Sequence, residues 1–221
     1  ENSYGFDETT SETLFGGRLG LSHQYNSEQN TYITLSKGYK AGGVNDDADL
    51  PNNRLSFDTE TLWNLETGLN SSLMNGDLKT RIALFYAKRV DQQVNSSTQK
   101  AGSQDFTIYL DNAATGESYG LEAEADWFVN DNLRVLASLG LLQANFLDYT
   151  YVDPNNTANT ISLNGRDQAH APSYQFSLGM EYAIDNHWLL SANIEGKDKF
   201  YFSNSNEELS KTYTLINGSL E

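Results

Sequence analysis

Apolar and polar residues alternate along long segments of this chain. In residues 173–184 every second side chain from Tyr174 to Ile184 is apolar, and the residues between them are polar or glycine except for Ala183. The same alternation runs through residues 62–73, 78–89 and 119–127. Because successive side chains of a strand point to opposite faces, each segment predicts a β-strand with one apolar and one polar face.

Nine such segments follow one another, at residues 14–25, 31–40, 62–73, 78–94, 105–128, 133–149, 173–184, 188–202 and 212–221. Most are much longer than the five or six residues usual for a strand. Short turns near residues 26–30, 74–77, 129–132 and 185–187 alternate with long polar loops near residues 41–60, 94–104, 150–171 and 203–211. We therefore expect an antiparallel up-and-down sheet with all its long loops at one end.

Three features favour a transmembrane β-barrel over a soluble sheet: the strand length, the loop asymmetry and the position of the aromatic residues. Trp63, Trp127 and Trp188 each lie within a few residues of a strand end, and Trp prefers the membrane interface. A soluble sandwich shows the same alternation. However, only an outer-membrane barrel has a reason to combine short periplasmic turns with long outside loops.

Composition argues against several classes of protein. The net charge of −16 argues against nucleic-acid binding, which needs clustered Lys and Arg. The chain has no Cys, hence no disulfide framework and no thiolate metal site. It has no apolar run long enough for a transmembrane helix. It opens without a Met or a signal peptide, so we expect an internal piece of a longer protein.

Two groups of charged residues are candidates for binding. The acidic loop residues Asp46, Asp47 and Asp49 could bind Ca²⁺, but the EF-hand pattern is absent and we interpret them as a solvated loop. Charged residues on the predicted lumen face could contact a ligand or a plug. We interpret them instead as residues that wet the lumen and pair with one another: Lys79, Arg81, Arg89, Glu122, Glu124 and Glu181.

Catalytic patterns are absent from the sequence. His23, His170 and His187 lie in different segments without the spacing of a zinc hydrolase, and no GxSxG motif occurs. We interpret His170, which follows Arg166 and Asp167, as a surface residue. The prediction is therefore no enzyme, no catalytic residue, no cofactor and no metal ligand, with the substrate-binding residues unassigned.

Three stretches resemble conserved segments of TonB-dependent outer-membrane receptors. The first is TYITLSKGYKAGGVN, residues 31–45, where a strand ends in GYKAGG before an outside loop. The second is the hairpin of residues 60–94, and the third is LDNAATGESYGLEAEADWFVNDNLRV, residues 110–135. The matching residues in the second and third stretches are Glu66, Gly68, Leu69, Phe85, Tyr86, Asp91, Gln92, Asn112, Ala113, Gly120, Glu122 and Glu124.

This resemblance implies a barrel of about 22 strands, embedded in the lipid of the outer membrane of a Gram-negative bacterium and filled by an N-terminal plug. It implies active import of a small external ligand, most often an iron chelate such as a ferric siderophore. The inner-membrane TonB complex would drive import through the N-terminal region. Residues 1–221 would then be one partial barrel domain of about nine strands, with the plug and the final strands outside it.

Two alternatives stay open at this point. A soluble carbohydrate-binding β-sandwich would carry its aromatic residues on a concave face and its long loops at both ends. An outer-membrane enzyme barrel, such as a protease or phospholipase, would need His170 with a Ser or Asp partner on the lumen side near the outer rim.

Overall fold

A computed structural model describes residues 11–46, 50, 54–99, 106–152, 159–204 and 206–221. The strands are β1 Gly17–Gln24, β2 Gln29–Lys40, β3 Gly43–Val44, β4 Ser56–Phe57, β5 Glu60–Leu73, β6 Leu78–Gln99, β7 Phe106–Asn130, β8 Leu133–Val152, β9 Thr160–Ser162, β10 Tyr174–Ala183, β11 Leu189–Lys197 and β12 Tyr213–Leu220. A short 3-10 turn at Met74–Gly76 joins β5 to β6. Within the described residues, no helix has the length and apolar character needed to cross a bilayer.

Nine strands form one continuous sheet in the order β1-β2-β5-β6-β7-β8-β10-β11-β12, in which every neighbouring pair is antiparallel. The short β9 pairs with the end of β8, and β3 pairs with β4 as a separate ribbon in the loop after β2. The nine predicted segments correspond in order to these nine strands. The predicted all-β, up-and-down architecture is therefore confirmed, as an open sheet rather than a closed barrel.

Short and long connections alternate as the sequence predicts, but several strand ends differ. Strand β6 continues to Gln99, where the sequence predicts a loop from residue 94, whereas β7 begins at Phe106, within one residue of its predicted start. Residues 94–99 pair residue by residue with residues 106–111 of β7, so this polar stretch belongs to the hairpin rather than to a loop. Strand β11 ends at Lys197 rather than near residue 202. There the Asp198 carboxylate accepts a hydrogen bond from the backbone N–H of Lys199, and the chain turns away.

The two faces of the sheet differ in the way the alternation predicts. One cross-strand row on the apolar face consists of Leu21, Ile33, Thr67, Leu84, Leu121, Leu141 and Tyr174. The adjacent row on the opposite face consists of Ser22, Tyr32, Gly68, Ala83, Glu122, Gly140, Gln175 and Lys197. Apolar-face side chains such as Leu84 and Leu178 are 52% and 48% exposed. In the described part of the chain no second sheet covers this face, as it would in a sandwich.

The compact apolar core lies at the long-loop end of the sheet, where β6, β7 and β8 extend past the ends of their neighbours. Phe146, which is fully buried, packs there with Val94, Ala114, Tyr149 and Leu163. These side chains come from the extended ends of β6, β7 and β8 and from the loop after β9. The hydrophobic interior therefore stabilises the base of the loops, and the sheet itself is left with two exposed faces.

Close packing of an aromatic ring on a glycine links β2 to β5 on the polar face. A Cβ atom on Gly68 would lie 2.5 Å from the ring of Tyr32. The Tyr32 hydroxyl donates a hydrogen bond to Glu66 Oε1 at 2.8 Å. A Cβ atom on Gly120 would lie 2.1 Å from the backbone carbonyl oxygen of Leu141 on β8 and 2.9 Å from the ring of Phe85 on β6. These motif glycines are needed because a side chain at Gly68 would displace the ring and one at Gly120 would collide with the backbone of β8.

Candidate functional site at the long-loop end

The three motif stretches converge on one group of buried or half-buried polar side chains at the long-loop end. We call Asn45, Glu60, Gln93 and Asn112 the loop clamp. The buried Gln93 donates from Nε2 to the backbone carbonyls of Ala41 at 2.8 Å and of Asp58 at 3.0 Å. Its own backbone N–H donates to Glu60 Oε2 at 2.8 Å. Both ends of the loop between β2 and β5 are therefore bonded to β6.

Two asparagines of the loop clamp bond the same loop to β7. Asn45 exchanges two hydrogen bonds of 2.9 Å with the backbone of Leu110 and donates a third, of 2.8 Å, to the Arg54 carbonyl. Asn112 donates to the carbonyls of Asp58 at 2.9 Å and Asp91 at 2.8 Å. A carboxamide can donate and accept at once, which suits these residues to the irregular backbone of a loop base.

A β-bulge in β6 brings Gln93 into the loop clamp. The pairing with β7 shifts between Arg89 and Gln93, and Asp91 adopts a positive φ of 54°. A bulge of this kind re-aims the side chains that follow it. On the facing loop, a Cβ atom on Gly42 would lie 2.6 Å from the carbonyl oxygen of Phe57. The GYKAGG motif is thus explained by the close approach of two backbone segments.

The charged residues predicted for the lumen face lie on the polar face, and most of them pair. Arg89 bonds Glu60 at 3.2 Å, and Arg81 lies 3.8 Å from Glu124. Within the described ranges Lys79 and Glu122 have no ion pair; Lys79 lines a concavity of about 520 Å³ with Arg81 and Glu124. The interpretation that these residues pair with one another therefore holds only for Arg81 and Glu124, because Arg89 and Glu181 pair instead with Glu60 and Arg134.

Sequence reasoning missed the strongest ion pair of this face. Arg134 donates to both carboxylate oxygens of Asp126, at 2.8 and 2.9 Å, and to Glu181 at 3.3 Å. A bidentate guanidinium–carboxylate pair is among the strongest protein hydrogen bonds. The detectable signal was the position of Asp126 and Arg134 on the two sides of the short β7–β8 turn, on the same face.

A second group of aromatic and cationic side chains lies at the long-loop ends of β11 and β12 and in the loop between them. We call Lys197, Phe200 and Tyr213 the Lys197 cluster: the ammonium lies 4.8 Å from the Phe200 ring centroid and 5.5 Å from that of Tyr213. Lys197 lies on the polar face, opposite Gln175 and Tyr213 in the register. In the part of the chain that the structure describes, it has no ion pair. A cation held between rings is available to an anionic ligand.

Arg166, Asp167 and His170 do not form a common site. Arg166 pairs with Glu207 and stacks at 4.0 Å on the Tyr201 ring, whereas Asp167 accepts a hydrogen bond from Gln143. The ring of His170 instead packs against Phe200, with centroids 5.6 Å apart.

The described residues contain no cluster of side chains suited to metal binding. No group of three or more metal-ligating side chains occurs there. Of the acidic loop, Asp46 is exposed, whereas Asp47 and Asp49 lie outside the described residues.

In the loop after β11, hydrogen bonds from the Lys199 backbone and the Thr212 hydroxyl lower the pKa of Asp198.

Comparison with known protein families identifies the family to which this sheet belongs. The profile described as "TonB dependent receptor-like, beta-barrel" matches residues 2–221. The chain belongs to the TonB-dependent receptor β-barrel family. The resemblance that the three motif stretches indicated is therefore confirmed.

Individual TonB-dependent receptors agree with this assignment. The chain is 23% identical over 195 residues to the metal-pseudopaline receptor CntO of Pseudomonas aeruginosa, an alignment that covers 87% of this chain and 24% of that protein. The crystal structure of the ferric yersiniabactin uptake receptor FyuA from Yersinia pestis superposes with a TM-score of 0.70 at 21% identity, covering 93% of this chain and 29% of that one. The siderophore receptor PiuA from Acinetobacter baumannii gives a TM-score of 0.72 at 14% identity, covering 91% and 28%. The chain thus spans about a quarter of these relatives.

Family membership settles three further points. TonB-dependent receptors are outer-membrane proteins of Gram-negative bacteria, so the exposed apolar face is the outer surface of a barrel wall and the polar face is its inner surface. They are receptors rather than enzymes, which removes the enzyme-barrel alternative built on His170. The soluble β-sandwich alternative is also wrong, because the chain forms one sheet of this barrel family.

Proposed function

We propose that this chain is part of the wall of an active importer, which binds an iron chelate such as a ferric siderophore outside the cell and delivers it to the periplasm. The observation that carries the proposal is the Lys197 cluster. It presents a cation between two aromatic rings on the inner face, next to the long loops. Siderophore chelates of iron are commonly anionic, and a cation flanked by rings attracts such a ligand.

The packing of the outside loops supports the same function. The loop clamp fixes the loop after β2 to the β6–β7 hairpin by at least four hydrogen bonds from buried or half-buried amides. The loops after β8 and β11 meet at Arg166, where the guanidinium joins Tyr201 and Glu207. Loops held in defined positions lose little conformational entropy when they bind a ligand, which favours affinity.

The names of the relatives point to the class of ligand. CntO is described as a metal-pseudopaline receptor, FyuA as a ferric yersiniabactin uptake receptor and PiuA as a siderophore receptor. Metal chelates of small organic ligands are common to these names. We extend this class to the present chain, and we propose the TonB complex as the partner that drives import through the N-terminal region of the whole protein.

Uptake of radioactive iron tests the proposal. The full-length protein is expressed in cells that lack their own iron-chelate receptors, with and without a working TonB complex. The cells receive ⁵⁵Fe bound to hydroxamate, catecholate or carboxylate chelators. We expect uptake of at least one class, only in cells with TonB. Failure with every class, or equal uptake without TonB, would overturn the proposed function.

The same assay tests the Lys197 cluster. Lys197→Ala removes the cation, and we expect the chelate concentration for half-maximal uptake to rise about three- to tenfold, corresponding to about 0.7–1.4 kcal/mol. Lys199→Ala is the matched control, because Lys199 is exposed two residues away and is outside the cluster. Equal effects of the two variants would show that the cluster does not contact the ligand.

A further inference from the structure

On the outer surface of the wall, the charged residues begin at one cross-strand row. Between the short turns and this row, no outer-face residue of the nine paired strands carries a charge. The row itself is Lys37, Trp63, Lys88 and Glu117, which lie directly opposite one another on β2, β5, β6 and β7. We call these four residues the outer lysine row.

The two ammonium groups of this row have no carboxylate partner. Lys37 Nζ lies 5.5 Å from the centre of the Trp63 ring, and Lys88 is exposed. Glu117, opposite Lys88 in the register, instead accepts a hydrogen bond of 2.9 Å from the Tyr86 hydroxyl. Within the residues that the structure describes, neither lysine forms an ion pair. In a chain of net charge −16, two adjacent unneutralised cations are an exception to the overall charge.

The outer lysine row lies at the boundary of the apolar belt. The adjoining row toward the short turns consists of Leu19, Leu35, Leu65, Tyr86 and Tyr119. Long loops of such barrels lie outside the cell, so the lysines are at the level of the outer-leaflet headgroups. Lysines can reach polar headgroups while their stems contact apolar chains. The short-turn end of the same face has no comparable cations: it ends in Leu73, Leu78, Trp127 and Val135.

We propose that Lys37, Trp63 and Lys88 form a binding site for the phosphate group of an outer-leaflet lipid. The two lysines are separated by one strand, which places their Cα atoms roughly 10 Å apart. Their flexible stems can therefore reach one phosphate between them, above the indole ring of Trp63. Each ammonium group near an anionic membrane surface is attracted to it, so the two lysines together bind an anionic headgroup more strongly than one. The two lysines lie at the outer boundary of the apolar belt, next to the outer-leaflet headgroups.

This inference depends on the outer-membrane location of the family and not on the identity of the imported ligand. Loss of the lipid site should leave TonB-dependent iron uptake in place, since the lysines lie on the opposite face from the Lys197 cluster. Failure of the iron-uptake experiment would likewise leave the lipid site unaffected. The two proposals can therefore fail separately.

Native mass spectrometry of the full-length protein in neutral detergent tests the site. The protein is titrated with diphosphorylated lipid A or with phosphatidylcholine, and the lipid-bound fraction is measured. We expect the double variant Lys37→Gln with Lys88→Gln to bind lipid A at least tenfold more weakly than the unchanged protein. The matched control is Lys40→Gln with Lys79→Gln, which removes the same charge from the inner face of the same two strands.

Each outcome decides the proposal. Weakened lipid A binding in the outer variant alone supports the site. Equal weakening in both variants would reduce the effect to net charge and overturn it. Equal binding of phosphatidylcholine and lipid A by the unchanged protein would also overturn it, as would displacement of lipid A by millimolar inorganic phosphate, which would indicate a site for free phosphate. A difference in migration between unboiled and boiled samples on gels confirms that each variant is folded.

Discussion

Replacing Gln93 by leucine should release the loop between β2 and β5 without unfolding the wall. The leucine fills a similar volume but removes the amide that donates to the carbonyls of Ala41 and Asp58, at 2.8 and 3.0 Å. Each such hydrogen bond contributes about 0.5–1.5 kcal/mol net. The Gln93 Oε1 atom is buried without a partner, so its removal costs nothing. We therefore expect the free energy of loop opening to fall by about 1–3 kcal/mol.

Hydrogen–deuterium exchange of the full-length protein in detergent measures this opening. A decrease of about 2 kcal/mol raises exchange roughly 30-fold for amides that exchange by local opening. The informative amides are those of Gly42, which donates to Thr59 Oγ1, and Asn45, which donates to the Leu55 carbonyl. Amides in the middle of β5 should keep their protection, because the strand pairing is unchanged.

Gln175→Leu is the matched control for this experiment. Gln175 is exposed on the inner face of β10 and, within the described part of the chain, has no side-chain hydrogen bond. The same substitution there should leave exchange of the loop unchanged. The reasoning would be refuted by equal exchange of the Gly42 and Asn45 amides in the two variants. It would also be refuted by a loss of protection throughout β5, which would mean that Gln93 supports the sheet rather than the loop.

Three further changes test other parts of the wall. Gly68→Ala should lower the yield of folded barrel, because its Cβ would lie 2.5 Å from the Tyr32 ring; the fraction that resists heat on unboiled gels measures it. Arg134→Leu should lower the urea concentration at the midpoint of unfolding, because it removes the bidentate pair with Asp126. Phe146→Ala empties a fully buried site and should destabilise the long-loop end by about 3–5 kcal/mol, measured as faster cleavage of the loops by external protease.

Each of these changes has a control elsewhere in the chain. Gly38→Ala should fold normally, because no atom lies within 4 Å of the added Cβ. Arg81→Leu should cost little, since its contact with Glu124 is 3.8 Å long and exposed. Phe202→Ala removes an exposed ring and should leave protease resistance unchanged. Equal behaviour of a variant and its control would contradict the structural reason given for that variant.

Much of the sheet could be predicted because alternation and turn position are local properties of the sequence. The apolar row through Leu84 and Leu121 follows from period-2 patterning alone. The bulge at Asp91 could not be predicted this way, since it depends on the register between β6 and β7. The bulge explains why the polar side chain of Gln93 is buried among the carbonyl groups of the loop.

The binding surfaces were less predictable for a related reason. Lys197 was assigned to a strand, but its neighbour Phe200 reaches it only because the chain turns at Asp198. Lys37 and Lys88 are 51 positions apart, and only the alignment of three strands brings them onto one row. Contacts across strands are set by register, and register combines turn geometry with patterning along the whole sheet.

The length of the β6–β7 hairpin affects how the protein meets its surroundings. Strand β6 has 22 residues, which corresponds to roughly 70 Å along the strand and about 50 Å of height at a tilt of 45°. An apolar belt of about 25 Å accounts for only half of this height. The remainder stands above the bilayer as an extension of the β6–β7 hairpin, which β8 joins near its base, where Phe146 and its neighbours pack. Phages, toxins and antibodies reach protein that stands above the bilayer, so we expect variation in this extension to change what can attach to the cell without altering the passage through the membrane.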